Sequence, residues 1–377
     1  MECYFDNSAT TQPLPEVAEA MLPVLTTFYG NPSSLHKIGD EADALLEKAR
    51  KQLAKAMNCT PAEIYFTGGG TESNNIAIFG ATGALKRRGN RIVTTCLEHP
   101  SVEEPMKRLE EQGFEVVRLP VDAQGRVREE DLFQAVTKDT ILVSLMYVNN
   151  EVGSIQPIKA ARAAVDKAGA PAYIHCDAVQ AFGKLPINPK ELGVDMISVS
   201  SHKIHGPKGV GALYVKKGIR LTPYILGGGQ ENGIRSGTQA MPAIVGFGTA
   251  AAAIGNPLKH LAAVRTLRDS LTERLTALGG VEFNSGPDAL PFVLNLSLTG
   301  IPSEVLRNFL SSKGVYVSTG SACSKGHRSP VLTAMELPPE RIDSAVRISF
   351  SRFNTMEETD YLYQCLAEAQ QTLRKKS

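Results

Sequence analysis

Through its first two hundred residues the chain alternates short apolar runs with longer, charged stretches. Ile64-Tyr-Phe66, Arg91-Ile-Val-Thr-Thr95, Phe114-Glu-Val-Val-Arg-Leu119, Thr140 to Val148 and Ala172 to Asp177 read as strands. Segments near 39–56, 71–88, 101–112, 129–137 and 158–168 read as helices around and between them. Apolar strands joined through helices predict an α/β unit whose mostly parallel sheet is covered on both faces. Two further strands, Ile197-Ser-Val-Ser200 and Val210-Gly-Ala-Leu-Tyr-Val215, flank a polar turn that carries Lys203 and breaks at Gly206-Pro207. A small-residue helix over 240–255 should be buried, and Asn256-Pro257 marks a boundary. Beyond it come a charged helix over 258–278, a half-exposed strand at Phe292 to Leu298, a helix at 304–312, strands at 315–318 and 347–350, and a closing helix at 356–375. That pattern predicts a smaller α+β domain, built from 1–14 and 257–377 beside a large domain of 15–256.

In parallel sheets ligands collect at the carboxyl ends of the strands. His99, Asn150, Asp177 and the turn Ser200 to Lys203 all fall there. A lysine drawn into a partly buried turn becomes nucleophilic and can condense with a carbonyl. Asp177, a carboxylate ending an apolar strand, either caps the helix that follows or keeps a heteroaromatic nitrogen protonated. His99 is either a satisfied core histidine or a flat partner for a ring. Gly68-Gly-Gly70, followed by a helix opening at Thr71, offers free amides and a positive helix end to a phosphate, without the patterns of nucleotide-binding loops. The glycine-rich turn 227–238 holds Arg235, Ser236 and Thr238, good phosphate donors, and the loop 29–36 holds Asn31 and His36.

Composition removes several classes. A formal net charge of +1 sets up no general attraction to nucleic acid or an anionic membrane. The most apolar stretch, 240–255, falls short of the roughly 20 residues that span a bilayer. The first six residues lack the basic start and apolar run of a signal peptide, so the cytoplasm is the expected compartment. Six cysteines without a C-x-x-C pair indicate neither a zinc knuckle nor a disulfide framework. Cys323 differs from the other five: small residues surround it, and Lys325, His327 and Arg328 favour its thiolate.

A lysine for a Schiff base, a carboxylate for a ring nitrogen and a glycine-rich phosphate cup together call for pyridoxal phosphate. The segments Thr67 to Asn75, Glu98-His99, Asn149-Asn-Glu151, His175 to Gln180, Ser200 to Lys203, Arg235 to Thr238 and Gly320-Ser-Ala-Cys323 resemble those of a cysteine desulfurase of the NifS/IscS type, in the same order over nearly the whole chain.

The resemblance implies a fold-type I pyridoxal phosphate enzyme, a homodimer with active sites at the subunit interface. It implies that Lys203 bonds the cofactor, Asp177 pairs with its ring nitrogen, Gln180 reaches its ring oxygen, and His99 stacks on the ring and moves protons. Gly70, Thr71, Ser200 and His202 would bind the phosphate, with Thr238 supplied by the neighbouring subunit. Asn31, Asn150 and Arg347 would grip the carboxylate of L-cysteine, and Cys323 would take its sulfur, leaving alanine and a persulfide. A sulfur-acceptor protein, either an iron–sulfur scaffold or a tRNA-thiolation enzyme, would then collect it, with no direct part for nucleic acid or membrane. The stretch after Cys323 is shorter and more basic than in long-loop members. The competing readings are a selenocysteine lyase or aminotransferase on the same fold, and a non-catalytic scaffold homologue.

Overall fold

The structure, a computed structural model, describes residues 1–319 and 328–373 of the 377. The chain opens with a two-residue strand, β1 (Cys3–Tyr4), before its first helices, α1 (Pro15–Thr26) and α2 (Lys37–Ala56). The apolar runs then appear as β2 (Ile64–Thr67), β3 (Arg91–Thr95), β4 (Glu115–Leu119), β5 (Thr140–Met146), β6 (Tyr173–Asp177), β7 (Met196–Ser200) and β8 (Gly211–Val215). They form one sheet in the order β2-β8-β7-β6-β5-β3-β4. Pairing is parallel from β7 through β4, and β8 alone among these strands runs against both neighbours.

Residues in β5, β6, β7 and β8 are buried on both faces, apart from Tyr173, which explains why they read as continuous apolar runs rather than alternating ones. The helices α3 (Gly70–Leu85) and α4 (Pro100–Glu111) cover one face through Ile76, Ile78, Val102 and Met106 packed on Ile92, Leu142 and Met196. The opposite face packs against α2, the helix Ile158–Ala168 and the predicted small-residue helix, found at Met241–Ala252. Among the described residues no single helix is long and apolar enough to cross a membrane.

The remaining strands are β9 (Glu282–Phe283), β10 (Val293–Ser297), β11 (Val315–Tyr316) and β12 (Ala345–Ser349). β12, β10 and β9 make an antiparallel sheet, while β11 pairs in parallel with β1 and so ties the amino terminus to this region. One expectation needs correcting. β10 is buried at every position instead of half exposed. Its polar residues are satisfied internally: Asn284 Nδ2 donates to Asn295 Oδ1 and Ser297 Oγ, both at 2.8 Å. Asn295 Nδ2 in turn donates to the Glu151 carbonyl at 3.1 Å. A polar side chain with partners can lie inside, and these partners join the small sheet to the end of β5.

Candidate active site

Five strands of the large sheet, β2, β3, β5, β6 and β7, end on one edge, and the segment after each contributes to a single cavity of about 290 Å³. The cavity is lined by Gly70, Thr71, His99, Asn150, Asp177, Gln180, Ser200, His202, Lys203 and Arg347, all anticipated from the sequence. Ser8, Ala9, Asn74 and Ser101 also line it and were not anticipated.

Lys203 closes a single 3₁₀ turn, Ser201–Lys203, between the buried strands β7 and β8. Its Nζ donates to the carbonyl of Ser8 and, at 2.8 Å, to that of Ala9. Thr11 fixes this amino-terminal segment against the turn, since its N–H and its hydroxyl both donate to the His202 carbonyl at 2.9 Å. His205 takes a positive φ of 66° just beyond, its Nδ1 against the Gln12 carbonyl at 2.9 Å and its Nε2 against Ser351 Oγ at 3.1 Å. The lysine therefore projects from a turn braced by the first residues of the chain.

Asp177 is held from two sides. Its Oδ1 accepts from the Val179 N–H at 3.0 Å, the capping role, and its Oδ2 accepts from Asn74 Nδ2 at 2.8 Å. The same Asn74 nitrogen reaches Ser101 Oγ at 2.8 Å, which lies 2.8 Å from His99 Nδ1. His99 caps α4, and the Ser101 N–H donates to Nδ1 at 3.1 Å. An Nδ1 that accepts leaves the proton of the neutral ring on Nε2. Burial lowers the His99 pKa, with Asp177 opposing and Lys203 reinforcing the shift.

The phosphate cup forms where β2 turns into α3. The first amides of a helix have no helical carbonyl to bond and sit at its positive end. Gly70 is needed there, because a Cβ would lie 2.8 Å from Val179 Cγ2. His202 stands beside the cup with Nδ1 3.2 Å from Thr10 Oγ1, its pKa pushed down to about 4 by burial and by the charges of Lys203, Lys208 and Lys184. It is a neutral donor or acceptor near pH 7. Arg235, one of the expected phosphate donors, is instead paired with Glu72 at 2.9 Å.

Arg347 is only 2% exposed. Its Nη1 donates to the Asn150 carbonyl at 3.0 Å and its Nη2 to Asp6 Oδ1 at 2.9 Å. Behind Asp177, His175 is clamped between Ser144 and Ser198, and burial drives its pKa to about 4. Glu98, also unanticipated, is buried; its Oε1 accepts from Thr95 Oγ1 and the Met146 N–H, and burial lifts its pKa to about 8.

Two expected residues lie outside this cavity within the single chain. Asn31 is exposed and spends its Oδ1 on the Ser33 N–H at 2.9 Å, and Thr238 is exposed on the glycine-rich turn. Cys323 lies outside the described residues. What sequence reasoning missed had faint signals: Asn74 and Ser101 sit inside the quoted motifs, whereas Ser8 and Ala9 act through backbone carbonyls that no side-chain pattern reveals.

Residues 3–362 match the family model described as aminotransferase class-V. A "Cysteine desulfurase IscS" of Methanosarcina thermophila is 43% identical over 99% of this chain and 93% of its own length. Another of the same name, from Dictyoglomus turgidum, is 42% identical over 99% and 95%. Among solved structures, a NifS-like protein superposes with a TM-score of 0.92 at 40% identity, over 98% of this chain and 99% of its own. One described as "SspA in complex with cysteine" gives 0.83 at 33% identity, over 94% and 100%.

Proposed function

The chain belongs to the class-V aminotransferases and, within them, to the cysteine desulfurases of the NifS/IscS type, and from that membership we propose how its own residues divide the work. It is a fold-type I enzyme whose activity is cysteine desulfuration, with L-cysteine as sulfur donor. The family depends on pyridoxal phosphate, and the cavity fits that group. Among the described residues the buried Ser8 Oγ and Asn74 Oδ1 find no partner, a Cβ at Gly70 would crowd Val179 Cγ2, and a lysine, a carboxylate and a helix amino terminus face one space. When bound, pyridoxal phosphate supplies a carbonyl that takes up the substrate amine and a protonated ring that draws off electrons.

Asp177, fixed by Asn74 and the Val179 N–H, would keep the proton on the ring nitrogen. Gly70, Thr71, Ser200 and His202 would hold the phosphate, joined by Thr238 of a second copy, and Gln180 would meet the ring oxygen. His99 would stack on the ring and relay protons, while Lys203 would remove the α-proton. Arg347 and Asn150, with Asn31, grip the substrate carboxylate, a guanidinium fork suiting that task. The Cys323 thiolate attacks the substrate sulfur, and the C–S bonding pair stays with carbon. Alanine leaves, and the persulfide passes its terminal sulfur to an acceptor protein, an iron–sulfur scaffold or a tRNA-thiolation enzyme. We place this work in the cytoplasm, in a homodimer whose large domain is 15–256 and whose small domain is 1–14 with 257–377.

The observation that carries the reading is the meeting of Lys203, Asp177, His99 and the Gly70–Thr71 helix start around one cavity. The test uses two variants of the full chain loaded with pyridoxal phosphate. Lys203→Ala should lose the visible absorbance of the lysine-bound cofactor. Cys323→Ala should keep that absorbance yet form no alanine or sulfide from L-cysteine. Undiminished desulfuration by Cys323→Ala would sink Cys323 as the sulfur acceptor and favour a lyase on the same fold.

A further inference from the structure

Lys184 is a lysine that the chemistry above does not use, and it is buried to 6% exposure. Among the described residues its one side-chain hydrogen bond runs from Nζ to Gln180 Oε1 at 2.8 Å, and the ring of Phe292 lies 5.9 Å away. Packing alone does not call for a lysine here, since a methionine would fill the place beside Phe292 without a buried charge. Burial, with the positive charges of Lys203 and Arg347 adding to it, pushes the Lys184 pKa down to about 7. So costly a group needs a local reason.

The reason lies in the carboxamide it meets. A glutamine amide can turn end for end with little change of shape, and only its partners decide which atom faces where. At Gln180 both ends are specified. In its ammonium form, which holds below its pKa of about 7, Lys184 can only donate, so the atom facing it is Oε1. The Ser8 carbonyl can only accept, and Gln180 Nε2 donates to it at 3.0 Å. Nε2 has one more hydrogen, on a side chain that lines the cavity.

We propose that Lys184 is a positioning residue: its ammonium, behind the cavity wall, holds the Gln180 carboxamide so that the site offers an N–H to the ring oxygen of the cofactor and favours that oxygen as an anion. This rests on the pyridoxal phosphate reading above. The same Ser8 carbonyl accepts from Lys203 Nζ, so Lys184, Gln180, Ser8 and Lys203 form one chain of hydrogen bonds. The ring oxygen and the cofactor-bearing lysine are thereby set by a single braced array.

The test reads binding rather than turnover. The apo full-length protein is titrated with pyridoxal 5'-phosphate and with its 3-deoxy analogue, which lacks the ring oxygen. A hydrogen bond to an anionic oxygen predicts that the wild type prefers the parent by about tenfold or more. Lys184→Met should bind the analogue as the wild type does and lose most of the preference, to about threefold or less. Should Lys184→Met fail to fold, Lys184→Gln, whose own amide can turn either way, should still cut the preference at least by half. A preference undiminished in whichever variant folds overturns the role of Lys184 and leaves the cofactor reading intact. Failure of the wild type to bind either compound, or undiminished visible absorbance in Lys203→Ala, would instead remove the cofactor reading itself.

Discussion

Glu98 shows how a residue beside the site can be read from its surroundings. Its Oε1 takes hydrogen bonds from Thr95 and Met146, but among the described residues its buried Oε2 has no partner. Burial is the largest influence and raises its pKa from 4.5 to about 8, with the charges of Asp177 and Glu103 adding to it. Between those two values the folded protein keeps a proton that the unfolded chain releases. Stability from this group is therefore full below about pH 4.5 and is lost as pH rises toward 8. Glu98→Gln imitates the protonated acid and should remove that slope. Urea unfolding of the apo protein should find the variant equal to wild type near pH 5 and more stable at pH 8, by on the order of 2–4 kcal/mol. Parallel profiles would mean that Glu98 is ionised in the fold. The sequence placed His99 and Asp177 at strand ends because polar residues there interrupt apolar runs. It said nothing of Glu98's protonation, or of the Ser8 and Ala9 carbonyls, because these depend on which distant segments pack together.

At the scale of elements, the phosphate cup depends on how closely β8 approaches the turn after β2. Gly211 opens β8 opposite Thr67 and Ser200. A Cβ there would lie 2.6 Å from the Gly69 carbonyl carbon and 2.7 Å from the Val199 oxygen. Both are backbone atoms, so no rotamer change relieves the clash and the glycine turn must shift. Gly211→Ala should destabilise the protein by about 1–3 kcal/mol and weaken pyridoxal phosphate binding in a fluorescence titration. Gly169→Ala is the control: its φ of 63° strains an alanine, yet among the described residues nothing stands within 4 Å. It should cost about 1 kcal/mol and leave binding unchanged. Equal binding by both variants would show that the approach of β8 does not shape the cup. The parallel core of this sheet was legible because its strands, buried on both faces, read as unbroken apolar runs. The reversed direction of β8 was not, since a strand's composition carries no sign of its direction. β1 and β9 are two residues long, too short for any periodicity, whereas β11 falls within the strand expected at 315–318, and β10's buried Asn295 and Ser297 imitate an exposed face.

For the whole molecule, the open matter is what covers the outer side of α1. Val17 and Val24 of that helix are buried, whereas Leu22 and Leu25, one turn apart on it, are exposed, as is Tyr29 beyond its end. Leu35, Ile38, Tyr224 and Leu226 add further exposed apolar side chains, and exposed apolar side chains gathered into a patch mark an interaction site. A homodimer would bury such a face, and the same pairing would bring Thr238 of one copy, exposed on its glycine-rich turn, to the phosphate cup of the other. The two consequences are linked and can be tested together. Leu22→Glu with Leu25→Glu should convert a dimer into a monomer in sedimentation velocity and raise the Kd for pyridoxal phosphate by about tenfold, the worth of one charge-assisted hydrogen bond. Thr238→Ala should weaken binding to a like extent while the protein stays dimeric. Val305→Glu, at another exposed apolar position, should change neither property. A monomeric wild type, or a monomeric double variant that binds as tightly as the dimer, would show that each cup is complete within its own chain.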